Sequence, residues 1–293
     1  MKNPVYGVEP KKSEVQTEPE EMRKNHLGQA LLLWTFLSIA CLQSFLTDAL
    51  SGEGMGITLP SHRPHQDSMA TRWEYMGVEG PQHWGMLTPE YQACESGNRQ
   101  SPINIAMPQA GYGQEQLAFH YRPSHVHELN NGHTIQVSHL SGSRLLLNNQ
   151  PYALRQFHFH VPSEHHIEGH PFPMEMHLVH QNPTGHIVVV AILMQADADQ
   201  PRLQDFWEWL PAQRGHEVSL PLQLNIGDLI PNNTHHYSYT GSLTTPPCSE
   251  GVHWLVLKSP IHVTHEEVTQ FHHLIGNNAR PLQPVLNRTI EEY

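Results

Sequence analysis

The chain has 293 residues, of which 15% are charged, and its formal net charge at pH 7 is −12. A chain this acidic is a poor partner for nucleic acid or for an anionic membrane surface, so we expect neither. The residues beyond the N-terminal region are enough to bury one sizeable core, and 24 Pro with 20 Gly punctuate many short strands.

The first 50 residues are predicted to be an N-terminal extension that ends in an export signal. Residues 2–21 are polar and charged, whereas residues 27–46 are apolar and contain no Asp, Glu, Lys or Arg. An apolar run after a short basic segment is typical of a signal peptide, so Met22 is the expected start and residues 51–72 are an expected linker. An uncleaved membrane anchor is the competing interpretation, because the run is just long enough to span a bilayer. In both cases we expect a periplasmic or secreted protein.

Residues 73–293 are predicted to form one mixed but predominantly β domain. Helical periodicity is sparse, and most apolar runs are short. The predicted strands are 134–137, 144–147, 157–160, 187–194 and 252–257, and the predicted short helices are 205–210 and 266–271.

Cys94 and Cys248 are the two cysteines of this domain. A single pair of cysteines in an exported protein is typical of a disulfide bond, with two unrelated buried thiols as the alternative. The prediction of a disulfide therefore depends on the prediction of export.

Phe157-His158-Phe159-His160, followed by His177, is the pattern with the most specific chemical meaning. Alternation of Phe and His predicts a β-strand with both imidazoles on one face, about 6.6 Å apart along the chain. Three neutral imidazoles without a thiolate favour zinc, and three protein ligands leave a fourth position open, as in catalytic zinc sites. We therefore expect a hydrating or hydrolytic zinc enzyme.

Polar residues near these histidines support the metal interpretation. A metal-bound imidazole normally donates its second N–H to a carboxylate, amide or carbonyl. Gln156 and Glu175 each precede a candidate ligand by two residues and share its strand face, and Glu164 is a third acceptor nearby. The chain contains 25 His, and others such as His235 and His236 are expected to be solvated surface residues without a role.

The order and content of several motifs resemble the α-class carbonic anhydrases, and the resemblance extends over residues 73–293. The motifs are 80–84 (GPQHW), 100–105 (QSPINI), 129–133 (LNNGH), 156–160 (QFHFH), 163–165 (SEH), 175–180 (EMHLVH) and 242–247 (SLTTPP). Val161-Pro162 stands where animal members have Trp-Gly and a longer connection, so the chain looks like the shorter bacterial form.

This resemblance implies a lyase that hydrates CO₂ reversibly to bicarbonate and a proton with Zn²⁺ as its cofactor. His158, His160 and His177 match the zinc ligands of the family, and Asn278 joins Gln156 and Glu175 among the residues that match positions supporting them. The resemblance also implies a large, twisted, mostly antiparallel central sheet with short peripheral helices and the zinc in a cleft on one face.

Catalytic roles follow from the same resemblance. Thr244 matches the residue that orients the nucleophile and donates to Glu164. His133 matches the proton shuttle, and an imidazole is suited to that role because it titrates near neutral pH. The family also has positions that hold the water molecules between the zinc and the proton shuttle, and these are matched by Tyr75, Asn131 and Gln136. The apolar wall that an uncharged substrate needs is assigned to Val179, Val189, Leu243, Thr245, Val252 and Trp254.

In bacterial relatives a disulfide at the positions of Cys94 and Cys248 ties the loop that carries Thr244 to the N-terminal strand region. The bonds that match Ser101-Pro102 and Pro246-Pro247 are cis in the family. Both features are expected here.

Three other functions remain open. A cupin-type metal oxygenase would bind its metal with His158, His160 and Glu164, although Tyr152 and Pro171 stand where its glycines should be. A non-catalytic anhydrase-like module would bind zinc without turnover, although such modules usually lose a zinc histidine. A periplasmic zinc buffer is suggested by the His content alone. The expected partners are CO₂ and bicarbonate, and a homodimer is left open.

Overall fold

The computed structural model describes residues 71–293, apart from His139 and the side chain of Asp205. The predicted export signal, the start at Met22 and nearly all of the predicted linker lie outside these residues and stay predictions. Within the described part, no helix is both long enough and apolar enough to cross a membrane.

Fifteen strands and four α-helices lie within the described residues. The strands are β1 (Asn104–Ile105), β2 (Gln109–Ala110), β3 (Leu117–His120), β4 (Ser124–Asn130), β5 (Ile135–Ser138), β6 (Arg144–Leu147), β7 (Gln150–His160), β8 (His166–Ile167), β9 (His170–Pro171), β10 (Met174–Gln181), β11 (Ile187–Ala196), β12 (Glu217–Leu224), β13 (His236–Ser242), β14 (Glu250–Val263) and β15 (Glu291–Glu292). The helices are α1 (Trp84–Leu87), α2 (Ala93–Ser96), α3 (Gln204–Trp207) and α4 (His265–Ile275), and 3₁₀ helices cover Gly77–Glu79, Pro89–Tyr91 and Ile226–Leu229.

Twelve of the described strands form one sheet. Its order is β12-β4-β5-β7-β10-β11-β14-β13-β15-β2, with β6 next to β7 and β3 next to β6. Most neighbours are antiparallel, whereas β11 with β14 and β15 with β2 are parallel. β1, β8 and β9 form a separate small sheet. The prediction of a predominantly β domain with a large, mostly antiparallel sheet is confirmed.

The predicted strands all exist, but three of them are longer than predicted. Strand 144–147 coincides with β6. The other predicted strands overlap β5, β7, β11 and β14, of which the last three extend beyond the predicted ranges. The longer strands continue past the apolar runs because their backbone pairing with neighbours continues, which the pattern of one strand does not reveal.

Of the two predicted helices, one agrees with the structure and the other is longer than the helix observed. Helix 266–271 lies inside α4, which begins after Thr264 because the Thr264 hydroxyl accepts from the Glu267 amide and the Glu267 carboxylate accepts from the Thr264 amide. Helix 205–210 is shorter than predicted, since α3 ends at Trp207. Beyond it the Trp209 amide donates to the Phe206 carbonyl three residues earlier, so the last turn tightens and the α-helical bonding ends.

Successive side chains of β7 lie on opposite faces of the sheet. Phe157 and Phe159 are fully buried in the core on the side of α3 and α4, where the Phe159 ring lies 5.1 Å from the Trp207 ring. His158 and His160 consequently lie on the other face. The sheet thus separates a large apolar core from the face that carries the candidate ligands.

Cys94 and Cys248 are joined by a disulfide, as predicted. Cys248 lies in the loop between β13 and β14, which also carries Thr244. Cys94 lies in helix α2 and not in a strand, so the predicted attachment to an N-terminal strand is wrong. A hydrogen bond from the Gly97 amide to the Ala93 carbonyl closes a helical turn there. The cis peptide bonds are Ser101–Pro102 and Pro246–Pro247, as expected, and also Val161–Pro162.

Reduction of the Cys94–Cys248 bond is expected to lower the thermal midpoint by several degrees or more. The bond joins residues 154 apart in sequence, and a loop of that size stabilises by about 5 kcal/mol in the chain-entropy model. Each kcal/mol moves the midpoint of a domain this large by about 2–4 °C. Melting curves of the oxidised protein, the reduced protein and the Cys94→Ser/Cys248→Ser variant measure the effect. Equal midpoints would contradict it.

Glu128 is a carboxyl that the fold buries in β4. Its side chain is fully buried, and neither carboxylate oxygen has a hydrogen-bond partner among the described residues. The residues paired with it on the neighbouring strands are Val137 and Val218. Burial disfavours the charged form and raises the pKa of the Glu128 carboxyl to about 8.

The free energy of unfolding is therefore expected to decrease as the pH rises from about 4.5 to about 8. Below that range the Glu128 carboxyl is protonated in both states, and within it only the unfolded chain has released the proton. This costs about 1.4 kcal/mol of stability per pH unit. Glu128→Leu should remove the dependence, so its advantage in thermal midpoint should increase between pH 5 and pH 8. The exposed Glu266→Leu is the control, and an advantage that does not change with pH would contradict the assignment.

The prediction that His235 and His236 are both solvated is wrong for His236, which is 2% exposed. β13 begins at His236 and turns its ring inward, where Nδ1 donates to the Thr234 carbonyl and Nε2 lies 3.6 Å from Glu115 Oε1. Burial alone would raise the pKa of Glu115, but His236 and His253 outweigh burial and lower it to about 2. His236 is therefore part of a buried polar cluster.

Candidate active site

The three candidate ligands come from the adjacent strands β7 and β10. In their antiparallel register His177 lies opposite His158, and Glu175 lies opposite His160. Residues that pair directly across two strands project to the same face, so the imidazoles converge. Their ring centroids are between 4.5 and 5.2 Å apart, and one ring nitrogen of each lies within 4.8 Å of the others.

Each of these imidazoles is oriented by a hydrogen bond from one of its two nitrogens. The bonds run from His158 Nδ1 to Gln156 Oε1 at 2.8 Å, from His160 Nδ1 to the Asn278 carbonyl at 2.8 Å, and from His177 Nε2 to Glu175 Oε1 at 2.7 Å. The second nitrogen of each ring is thereby left available to a metal. This is the arrangement that fixes the tautomer of a metal-binding histidine.

The available nitrogens fit a zinc ion. Burial lowers the pKa of all three imidazoles, that of His160 to about 4, so the rings are neutral at pH 7 and keep a lone pair for a metal. His160 Nε2 is buried and has no hydrogen-bond partner among the described residues. A buried nitrogen without a partner is costly unless a ligand satisfies it, and neutral imidazoles are the donors that zinc accepts.

A second group close enough to bind a metal, formed by His165, Glu175 and His177, is already satisfied by hydrogen bonds. Glu175 Oε1 accepts from His165 Nδ1 and His177 Nε2, both at 2.7 Å. Glu175 Oε2 accepts from the backbone amides of Glu164 and His165 at 2.8 Å. Burial would raise the pKa of Glu175, but His165 and His177 outweigh burial and hold it well below its usual range. Glu175 is thus a charged support for His177.

This support continues through residues that sequence reasoning did not assign. Since His165 Nδ1 donates to Glu175, its Nε2 accepts from the Tyr239 hydroxyl at 2.7 Å, and the Tyr239 oxygen accepts from the Ser101 hydroxyl at 2.8 Å. All of these side chains are buried. Ser101 and His165 lie in two of the motifs that carry the family resemblance, but their contact with Tyr239 could not be read from the sequence because the three come from distant segments.

Glu164 turns one carboxylate oxygen toward the candidate ligands. Its Oε1 accepts from the Arg280 amide at 2.8 Å, and its Oε2 lies 3.5 Å from His160 Nε2 and 3.9 Å from His177 Nδ1. Burial raises the pKa of the Glu164 carboxyl to about 7, although His177 and the hydrogen-bonding side chain of Thr244 lower it. Thr244, whose side chain hydrogen-bonds this carboxyl, is itself buried.

Apolar residues cover the same face beside His177. Val179 follows this ligand by two residues and pairs with Val189, which in turn pairs with Trp254. The Trp254 ring lies 4.8 Å from the His177 ring. The other members of the predicted wall are Leu243 and Val252, which join the same apolar cluster, and Thr245, which is partly exposed.

The residues predicted to carry the proton lie at the turn between β4 and β5 and beside it. His133 is half-buried, and its Nδ1 has no hydrogen-bond partner among the described residues. Asn131 Oδ1 accepts from two backbone amides of the turn at 2.9 Å, so this side chain shapes the turn. Gln136 pairs with His158 across β5 and β7, and the Tyr75 ring lies 6.4 Å from the His133 ring.

The fold and the site define a class of protein. It is a mainly β domain with a candidate metal centre, in which three neutral histidines converge beside an apolar wall. A model of eukaryotic-type carbonic anhydrases matches residues 79–293. The chain therefore belongs to the α-class carbonic anhydrase family, which contradicts the cupin alternative.

Individual relatives agree with this assignment. A carbonic anhydrase of Pectobacterium atrosepticum is 42% identical over 225 residues, which are 76% of this chain and 91% of that protein. A carbonic anhydrase of Neisseria gonorrhoeae is 41% identical over 224 residues, which are 76% of this chain and 88% of that protein. The α-carbonic anhydrase of Thermovibrio ammonificans, solved with the inhibitor sulfanilamide, superposes with a TM-score of 0.72 at 37% identity and covers 75% of this chain and 99% of that chain.

Proposed function

We propose that the protein catalyses the reversible hydration of CO₂ to bicarbonate and a proton at a zinc ion held by His158, His160 and His177. The convergence of three neutral imidazoles, each with its other nitrogen hydrogen-bonded, is the observation that supports this most directly. When bound, zinc acts as a Lewis acid that makes a water molecule acidic enough to lose its proton near neutral pH, as is well known for carbonic anhydrases.

Thr244 and Glu164 are proposed to orient the nucleophile. The Thr244 hydroxyl has one proton to donate, and the Glu164 carboxylate beside it is an acceptor. A hydroxyl that donates to Glu164 can only accept from the nucleophile, which fixes the direction in which the attacking lone pair points. Orientation of this kind lowers the barrier because the reacting atoms are already aligned.

The apolar residues beside His177 are proposed to receive CO₂. The substrate has no charge and no strong hydrogen-bonding group, so it partitions into a pocket lined by apolar side chains. Val189 and Trp254 supply such surface next to the ligands. Exclusion of water from this wall also strengthens electrostatic interactions at the reacting atoms.

The direct test is stopped-flow CO₂ hydration on the full chain, measured as purified, after removal of metal by a chelator, and after zinc is added back. We expect about one tightly bound zinc per chain, loss of activity on removal and recovery on addition. A chain that is equally active or equally inactive in all three states contradicts the proposal. Tight zinc without turnover would support the non-catalytic module, and several tight zinc ions per chain would support the zinc buffer.

His133 is proposed to carry the proton to solvent. Burial lowers the pKa of the His133 imidazole, so the ring is neutral at pH 7 and its unpartnered Nδ1 is free to accept a proton. His133→Ala is expected to lower kcat severalfold or more in weak buffer and to leave kcat/KM within about twofold, because only proton export is affected. Added imidazole should restore kcat. The exposed His120→Ala in β3 serves as control, and an equal fall in kcat/KM would show that His133 supports the metal site instead.

The Cys94–Cys248 disulfide supports export to an oxidising compartment, which we propose is the periplasm or the exterior. The bacterial relatives of this chain are carbonic anhydrases. The boundaries of the signal, the linker and the domain at residue 73 remain predictions, as does the homodimer.

A further inference from the structure

The imidazole of His133 is stacked on an aromatic ring. Trp73 lies parallel to it, with ring centroids 3.7 Å apart and an angle of 8° between the planes. The Trp73 ring is itself packed edge-on against Tyr75 at 5.4 Å and Trp84 at 5.1 Å. One face of the His133 ring is therefore covered by a side chain that has its own fixed support.

The loop of residues 211–216 is anchored on the turn that carries His133. The Gly215 amide donates to the Asn130 carbonyl at 2.7 Å, and the Asn130 side-chain amide donates to the Pro211 carbonyl at 3.0 Å. This docking places Arg214 over Gly132. The two are so close that a Cβ atom added to Gly132 would lie 2.2 Å from Arg214 Nε. The guanidinium is thus held directly against the residue before His133.

Glu74 connects this loop to the stacking tryptophan. Arg214 Nη1 lies 3.1 Å from Glu74 Oε1, although the two residues are 140 apart in sequence. The Glu74 backbone is fixed as well, because its amide donates to the Glu79 carbonyl and its carbonyl accepts from Trp84 Nε1, both at 2.9 Å. The ion pair therefore joins the segment that carries Trp73 to the turn that carries His133.

We propose that Trp73, Glu74 and Arg214 form a clamp that positions the His133 imidazole for proton transfer, with Trp73 holding the ring and the Glu74–Arg214 ion pair holding Trp73 against the turn. The inference rests on the proposed function of His133. All three are positioning residues, since they act on the reaction through the His133 ring.

The clamp also sets the charge around the ring. Burial lowers the pKa of His133, Glu74 raises it, and Arg214 lowers it. Among the described residues, Tyr75 also faces the ring, and burial raises its pKa well above its usual value, so that it stays neutral. Glu74 and Arg214 therefore oppose each other, and removing either one alone shifts the pKa of His133 in a direction that can be predicted.

The experiment compares Glu74→Gln, Arg214→Gln and the double variant in the zinc-loaded full chain. The His133 pKa, followed by NMR, should fall in Glu74→Gln, rise in Arg214→Gln and return toward the wild-type value in the double variant. The ion pair is partly exposed and screened by salt, so each single variant should lower kcat in weak buffer by about two- to fivefold. kcat/KM should stay within about twofold, because CO₂ attack does not involve the clamp.

Variants of Trp73 provide an independent test of the clamp. Trp73→Ala should lower kcat at least as much as the charge variants, because a freed imidazole samples orientations that do not connect to the water chain. Trp73→Phe keeps an aromatic face and should retain most of kcat. Thermal melts identify any loss of folding. The Glu74 and Arg214 side chains are partly exposed, so their variants test the clamp even if Trp73→Ala is unstable.

Arg72→Gln is the matched control. Arg72 Nη2 also contacts Glu74 Oε1, at 3.3 Å, but its side chain is 69% exposed and its two ion-pair partners, Glu74 and Glu79, both lie in its own segment of the chain. Its kcat should equal that of wild type. If His133→Ala lowers kcat while the clamp variants change neither kcat nor the His133 pKa, the clamp is refuted and the proposed function stands. If His133→Ala itself leaves kcat unchanged, the shuttle assignment fails and the clamp fails with it.

Discussion

Replacement of His177 by alanine is expected to abolish tight zinc binding and CO₂ hydration together. The two remaining ligands, His158 and His160, lie on one strand and cannot enclose the metal, because a stable catalytic zinc site needs three protein donors. The substitution also leaves Glu175 without one of its two imidazole partners. We expect the zinc content to fall from about one per chain to near zero after dialysis, with hydration at the uncatalysed rate.

The control for this prediction is the exposed His186→Ala, which lies just before β11 and removes an imidazole of the same type. His177→Gln fills more of the vacated volume and separates loss of a ligand from loss of packing. Elemental analysis and stopped-flow hydration are measured on all variants. Near-normal zinc content and rate in His177→Ala would refute the ligand assignment.

Replacement of Thr244 by alanine is expected to have a different result, in which zinc is retained and kcat/KM falls on the order of 10²-fold. Thr244 is adjacent to the Glu164 carboxyl and is not one of the three imidazole donors. Its removal leaves the metal in place and leaves the nucleophile without a fixed orientation. Because the attack on CO₂ is slowed, the effect should appear in kcat/KM as well as in kcat.

Thr240→Ala provides the comparison, since Thr240 is an exposed threonine in β13, the strand that leads into the Thr244 loop. Zinc content, kcat and kcat/KM are measured for both variants. Thr244→Ser restores the hydroxyl and should recover most of the activity. An unchanged kcat/KM in Thr244→Ala would remove Thr244 from the mechanism.

The pair of predictions separates binding of the metal from use of the metal. His177 is proposed to act through its nitrogen lone pair, so zinc and activity should be lost together. Thr244 is proposed to act through hydrogen bonds to the nucleophile and to Glu164, so only activity should be lost. If both variants lost zinc, Thr244 would instead be needed to keep the loop between β13 and β14 next to the ligands.

Much of the candidate site could be predicted from sequence because its signals are local. Alternation of Phe and His between Phe157 and His160 requires only the two-residue period of a strand, and this period places Gln156 on the face of His158. Glu175 and His177 obey the same rule on β10. The sequence could also supply the disulfide, since a domain with two cysteines allows only one pairing.

Several features of the fold outside the site were not evident from the sequence. Helix α3 ended earlier than its apolar pattern indicated, and Cys94 proved to lie in a helix. The inward turn of His236 and the burial of Glu128 were not expected either, because a polar residue in a strand pattern is normally assigned to the solvent. The burial of His236 and Glu128 depends on the residues that pack against them and not on their neighbours in sequence.

The sequence by itself therefore determined which histidines are the candidate metal ligands, because strand periodicity is a property of a few consecutive residues. Only the tertiary structure decided which nitrogen of each imidazole is left for the metal, since that choice is made by Gln156, Glu175 and the Asn278 carbonyl. The tertiary structure alone also brought Arg214 against Gly132. Hydrogen bonds and ion pairs between distant segments form only after the backbone has been positioned, and no local pattern encodes them.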